Sequence, residues 1–353
     1  VTVNGGTIDI TSFGDGIQAE QEFIMNDGDL TIYTYQGSTY TAPNTQQPAQ
    51  GGWGGWGGFN WFDDSGHDLG LEFSCKAVKT GSSEASIGGK ITVNGGNITI
   101  DSTDDALHCG DTMDINGGTI TVKTADDALH CDKYLNINDG IINITDSYEG
   151  LEAMRIHIKG GDVTVYGFDD PINAGEKGAA KTIDVSNDNC LLQIDGGIIH
   201  AYVTNNLEGD ALDSNGKIVI NGGEIYAEGS VDGPDSALDS DGEMIVNGGL
   251  VVATGGLGRG ELPEKSSKQN SLYWGNSRAS YAAGSVVTLT DSSGRQLVSY
   301  TSKQSLKCAV ISSPDIVMGG SYTMSVNGNK VADFTVTSAL MTQGDLGMGG
   351  FSW

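Results

Sequence analysis

The sequence predicts an all-β chain: a parallel β-helix of about nine or more coils over residues 1–283, followed by a small antiparallel β cap over 284–353 at the C-terminus. Three observations carry this. An acidic motif returns at a near-constant interval: Asp104-Asp105-Ala106-Leu107-His108, Asp126-Asp127-Ala128-Leu129-His130, Tyr148-Glu149-Gly150-Leu151-Glu152, Asp169-Asp170-Pro171-Ile172-Asn173. Steps between the second acids are 22, 22 and 21 residues, the period of one turn of a stacked β fold. A second ladder of Asn/Asp/Lys-x-Gly corners runs through Asn4, Asn26, Asn94, Asn116, Asn138, Lys159, Asp195, Asn221 and Asn247. Composition agrees: 54 Gly against 6 Pro suits thin turns with several tight corners each.

Each repeat then reads as strand, Asn-Gly-Gly bend, strand, acidic bend, strand. Ile91-Thr92-Val93 before Asn94 and Ile98-Thr99-Ile100 after it alternate β-branched residues, as a half-buried strand does. Asn94, Asn116 and Asn138 are expected to stack as an internal amide ladder with no chemistry of its own. Three interruptions are expected as insertions, near 37–73, 176–190 and 255–280. The first fills a gap of 68 residues between Asn26 and Asn94 and is read as one turn plus a loop. That loop carries Trp53, Trp56 and Trp61 among glycines, residues able to stack on sugar faces, to fold back over a strand face, or to form low-complexity sequence. From Gly284 two hairpins are expected, Val286 to Tyr300 and Tyr322 to Thr337, the second turning at Asn327-Gly328.

Charge narrows the function classes. With 46 acids against 18 bases the formal charge is −28, which repels nucleic acid and suits divalent cations, or simply solubility. No run of 18 apolar residues exists, so no membrane span is expected. The chain opens directly on a repeat, Val1-Thr2-Val3-Asn4, so either a leader has been removed or this is a piece of a longer protein. A secreted or cell-surface location and a monomer are expected. Five cysteines without a CxxC offer neither a disulfide scaffold nor a zinc motif; Cys109 and Cys131, 22 apart, are read as a buried thiol ladder.

The motif aligns three columns. The second-acid position runs Lys76, Asp105, Asp127, Glu149, Asp170, Asp210; the one before it Cys75, Asp104, Asp126, Tyr148, Asp169, Gly209, then Asp235. The position after the leucine runs Lys79, His108, His130, Glu152, Asn173, Asp213, Asp239. Two carboxylates about 5 Å apart repel by roughly 3 kcal/mol at an effective dielectric near 20, so such a stack takes up protons or recruits a cation. Ca2+, with its taste for six to eight hard oxygens, is the expected cofactor. A second, weaker cluster is Asp210, Asp213, Asp235 and Asp239. His108 and His130 are poor calcium ligands and are read as contacts to a bound sugar.

With these motifs, the Gly/Trp loop leading into Ser74-Cys75-Lys76-Ala77-Val78-Lys79, and the tail Val310-Ile311-Ser312-Ser313-Pro314, the chain resembles the secreted bacterial carbohydrate-binding proteins that carry a polysaccharide-lyase-like right-handed β-helix. The resemblance covers nearly the whole chain. It implies a right-handed helix, calcium in the acidic repeats, binding of cellulose and pectic acid, and no established turnover. It carries calcium binding to Asp104, Asp105, Asp126, Asp127, Glu149, Glu152, Asp169 and Asp170.

Two other classes stay open. A calcium-assisted lyase needs a base beside the metal, for which Lys76, Lys79 and Arg155 are the candidates. For Lys76 the alternatives are a salt bridge closing the acidic column or a ligand contact. A calcium-stabilised surface adhesin needs no glycan site at all.

Overall fold

The computed structural model describes residues 1–41, 69–82, 86–179, 185–258 and 260–345. It is all-β: among the described residues there is no α-helix, and a single three-residue 3-10 turn lies at Gly37–Thr39. Among the described residues no helix is long and apolar enough to cross a membrane.

Strands of successive repeats pair in parallel and fall into three columns. The first runs Glu22–Met25, Lys90–Val93, Thr112–Ile115, Tyr134–Ile137, Arg155–Ile158, Leu191–Ile194, Lys217–Ile220 and Met244–Val246. The second follows the glycine corner: Thr7–Ser12, Asp29–Thr34, Asn97–Ser102, Thr119–Thr124, Ile141–Asp146, Asp162–Gly167, Ile198–Val203, Glu224–Glu228 and Leu250–Gly255. The third is short: Ile17–Ala19, Val78–Thr80, Leu107–Cys109, Leu129–Cys131, Leu151–Ala153, Ile172–Ala174 and Asp213–Ser214.

The register follows the sequence period. Leu107 faces Leu129, Leu129 faces Leu151, and Leu151 faces Ile172, all fully buried. Met113, Leu135, Ile156 and Leu192 repeat this in the first column, Ile120, Ile142, Val163 and Ile199 in the second. A one-residue slip would turn every one of these side chains outward, which fixes the register. The corner glycines are required: Gly118 has φ +85°, and a Cβ there would lie 2.8 Å from the Gly96 carbonyl oxygen of the preceding repeat. Cys109 and Cys131 are free thiols with Sγ atoms 3.2 Å apart.

The amide ladder exists, but on the outside. Asn26 donates to Asn4 (2.7 Å), Asn94 to Asn26, Asn116 to Asn94 and Asn138 to Asn116, ending with Lys159 Nζ on Asn138 Oδ1. The expectation of an internal ladder fails for a simple reason. Val93, Ile115 and Ile137 take the inward position, and alternation sends the next residue to solvent.

Beyond Leu250–Gly255 the parallel stacking gives way to mixed pairing. Cys308–Ser312 pairs antiparallel with Leu250–Gly255 and with Ser271–Gly275, which pairs in turn with Leu340–Gly344. So one strand of the expected 255–280 insertion, and two from the expected cap, belong to the large sheet. A separate antiparallel sheet, in the order Gln296–Thr301, Val286–Asp291, Ser321–Val326, Asn329–Thr335, packs over the end of the second column. Its core joins Val252, Leu272, Trp274, Leu289, Met324 and Phe334. Buried Glu228 ties the two parts together: its carboxylate accepts from the Tyr300 hydroxyl and from the backbone N–H groups of Lys303 and Gln304 (2.7 Å each).

Candidate metal and glycan site

The corner between the second and third columns carries the acids. Stacking there is set by the backbone: Ala106 N–H donates to the Asp127 carbonyl (2.9 Å), Ala128 to Glu149 (3.0 Å), and Gly150 to Asp170 (3.2 Å). Asp104, Asp105, Asp126, Asp127, Glu149 and Asp210 are all buried there. Among them one oxygen is often occupied by a backbone N–H of the next repeat: Glu149 N–H on Asp127, Asp210 N–H on Asp170, Ser236 N–H on Asp210. The remaining oxygens face their neighbours.

Lys76 closes one end, paired with Asp104 and with Asp105 Oδ2 (2.5 Å). Burial works against charge at Asp105, yet Lys76 and the two histidines hold its carboxyl well below the usual range. Further along, His130 meets Asp127 and Glu152, and burial raises most of the other carboxyls. Burial, then Asp127 and Asp105, push Asp126 up to about 10. Asp127 is pushed up to about 7 by burial despite the hydrogen bond from His130. Burial together with Glu152 and Asp127 raises Glu149 well above its ordinary value, and Asn173 Nδ2 donates to both of its oxygens (3.1 and 3.2 Å). Burial raises Asp169 to about 6 and, with Asp169, Asp213 and Asp210 beside it, raises Asp170 strongly.

The column does not stop there. Asp210 is raised by burial and by Asp239, Asp235 and Asp213, and Asp239 is pushed up to about 7 by burial, Glu261 and Asp241. The two expected clusters are therefore one stack, joined through Asp170. Buried and crowded carboxylates that hold protons near neutrality are what a bound divalent ion relieves, so these residues fit the expected calcium. The oxygens of Asp104, Asp105 and Asp126 come within 4.8 Å of one another, an all-oxygen group.

Nitrogen enters at two adjacent levels, those of His108 and His130. His130 Nδ1 lies 2.8 Å from Glu152 Oε2, 3.2 Å from Asp127 Oδ2 and 3.7 Å from Asp105 Oδ2. His108 Nδ1 meets Asp105 Oδ2 at 2.7 Å, and the two imidazoles stand 4.8 Å apart.

Lys79 stands in register with His108 in the third column, as the motif aligned it. Lys79 contacts Ser74 Oγ (3.2 Å) beside Asp15. Arg155 sits in the first column, away from the acids, and donates to the Asn189 carbonyl (3.1 Å), because its strand runs on past the corner from Leu151 through Ile158. Trp53, Trp56 and Trp61 lie outside the described residues. The sequence reading missed Asp132, two residues beyond His130 on the same outward face, and Lys177, whose Nζ reaches Asp132 (2.9 Å) from the second insertion. It also missed an aromatic flank: Phe13 stacks on Phe73 (4.7 Å) with two thirds of its surface exposed, and half-exposed Phe168 lies against Tyr148 (6.1 Å). Phe168 directly precedes Asp169, so its place beside the acids was readable from the motif.

A parallel β stack with a buried carboxylate column and aromatic residues on its rim defines a class of protein that presents one long polar edge. The chain belongs to the family of carbohydrate-binding domain-containing proteins, whose family model matches residues 1–128 and again 111–258. The two matches together span every repeat of the acidic motif. No curated protein and no solved structure matches the chain.

Proposed function

We propose that this protein is a secreted, non-catalytic module, built as a right-handed parallel β-helix, that binds plant cell-wall polysaccharide, cellulose or polygalacturonate, in a calcium-dependent way. Family membership supports the ligand class. The single observation that carries the calcium part is the stack running from Asp104 to Asp239, in which Asp104, Asp105, Asp126, Asp127, Glu149 and Asp210 are buried and Asp169, Asp170, Asp213, Asp235 and Asp239 half-buried, with Lys76 pairing the acids at one end. A divalent ion held by Asp126, Asp127, Glu149, Asp169 or Asp170 neutralises the stack and leaves coordination positions for sugar hydroxyls or uronate oxygens. Phe13 and Phe168 offer apolar ring faces to the pyranose C–H groups alongside.

The lyase reading is weaker. Lys76 is ion-paired to two carboxylates, which overcome the effect of burial and hold its ammonium firmly protonated, the wrong state for a base. Retention of the protein on cellulose and on polygalacturonate gels, with calcium and with chelator, tests the proposal. Calcium-dependent retention without an unsaturated product supports it. Accumulation of the unsaturated product, lost in Lys76→Ala, makes the protein a lyase. Absence of retention on either glycan reduces the calcium to a structural role and leaves the adhesin reading.

A further inference from the structure

The level of the column around His130 does not fit calcium as the rest does. Calcium takes oxygen donors, whereas here an imidazole nitrogen occupies the centre of a carboxylate group. A zinc-class ion with bonds of about 2.0–2.2 Å in tetrahedral array holds its donors about 3.3 Å apart. Around His130 Nδ1 the carboxylate oxygens lie at 2.8, 3.2 and 3.7 Å, which brackets that spacing. Asp127, His130 and Glu152 each offer one donor atom within 4.8 Å of the others and make a three-ligand set. Asp105 Oδ2 is the more distant and is already engaged by Lys76 and His108.

The far side of the ring gives an independent sign. His130 Nε2 is buried and makes no hydrogen bond, yet Asp132 Oδ1 stands 3.5 Å away, held by Lys177. A metal-bound histidine commonly donates its other ring N–H to such an outer carboxylate, which fixes the tautomer and raises the basicity of the ligating nitrogen. Asp132 is placed for that role, with one short approach needed to close the hydrogen bond.

We propose that His130 Nδ1, Asp127 and Glu152, backed by Asp132, form a binding site for a divalent transition metal of the zinc class, distinct in chemistry from the all-oxygen levels of the column. The fourth position faces outward past Glu152, whose side chain is the most exposed of the three at 22%. The inference concerns the metal alone and holds whether or not the column retains glycan.

The test uses the full chain, stripped with chelator, and Co2+ and Zn2+ as probes. Titration with Co2+ should give the visible d–d bands of a tetrahedral nitrogen- and oxygen-bound ion, and equimolar Zn2+ should abolish them. His130→Asn should weaken Zn2+ binding at least a hundredfold. The inference is overturned by Co2+ spectra that stay those of the aquo ion, a readout on the wild-type chain that needs no variant to fold, or by Zn2+ affinity unchanged in a folded His130→Asn. Calcium-dependent glycan retention, followed on the same preparations, bears only on the functional reading above: zinc binding without retention, or retention without zinc binding, shows which of the two has failed.

Discussion

Removing divalent ions should destabilise this protein, and much more at pH 8 than at pH 5. The reason lies in the sign of the shifts. Asp127 and Asp239 are pushed up to about 7 and Asp169 to about 6, all from 3.8. A carboxyl whose folded value is raised holds its proton more tightly in the folded state. Its contribution is complete below the unfolded value and is lost as pH rises through the folded one, a window from about pH 4 to 7. His130, held above its usual value by Asp105 and its other carboxylate partners although burial opposes it, acts in the same direction. Groups with depressed values, such as Asp105 and Asp132, act below this window and leave it unchanged. One pKa unit is about 1.4 kcal/mol, so the three-unit rise at Asp127 corresponds to roughly 4 kcal/mol at pH 8. Neighbouring carboxylates share protons, and a single group therefore sets the scale rather than the sum. For a chain of this length that is on the order of 5–10 °C in Tm.

Melting curves in chelator and in calcium, from pH 5 to 8, provide the assay. In chelator Tm should fall by that amount across the range; calcium should restore it at pH 8 and do little at pH 5. Calcium binding near pH 6.5 should also release protons, visible calorimetrically as an enthalpy that changes with the ionisation enthalpy of the buffer. A chelator Tm that is level or rises from pH 5 to 8 would refute the reasoning, because the column would then carry its charge without strain.

Three further outcomes follow from the packing. Leu129→Ala removes a fully buried side chain between Leu107 and Leu151 and should cost about 2–5 kcal/mol in denaturant unfolding. Gly150→Ala places a Cβ 2.0 Å from Val165 Cγ1 and 2.4 Å from the Pro171 carbonyl oxygen; the unfolding free energy should drop by about 1–3 kcal/mol, with no gain from the better strand former. Glu228→Ala strands the N–H groups of Lys303 and Gln304 and should cost roughly 1–3 kcal/mol. Because those bonds hold the antiparallel sheet to the second column, hydrogen exchange over 286–335 should quicken more than exchange over 97–146.

Most of the stack was legible because its information is periodic. The 22-residue step alone puts Leu107, Leu129 and Leu151 in one line, and with them Asp105, Asp127 and Glu149. What escaped depends on direction or on chain segments without a period. The side of the corner on which Asn94 and Asn116 emerge is decided by the inward Val93 and Ile115, and the tripeptide alone does not reveal it. The motif columns already set Asp210 after Asp170 and Asp213 after Asn173; what they did not show is the Asp210 N–H donating to Asp170, which joins the two acidic groups into one stack. Ser271–Gly275, Cys308–Ser312 and Leu340–Gly344 join the large sheet through pairings with no repeat to announce them. Lys177 reaches Asp132 across 45 residues, a contact that no local pattern encodes.

A crystal grown with calcium, with anomalous scattering recorded to locate the ions, tests the account most directly. Density within about 2.3–2.6 Å of oxygens from Asp126, Asp127, Glu149, Asp169 or Asp170 is the expected result. Ions bound only at other surfaces, with this line of carboxylates holding nothing but water, would contradict it.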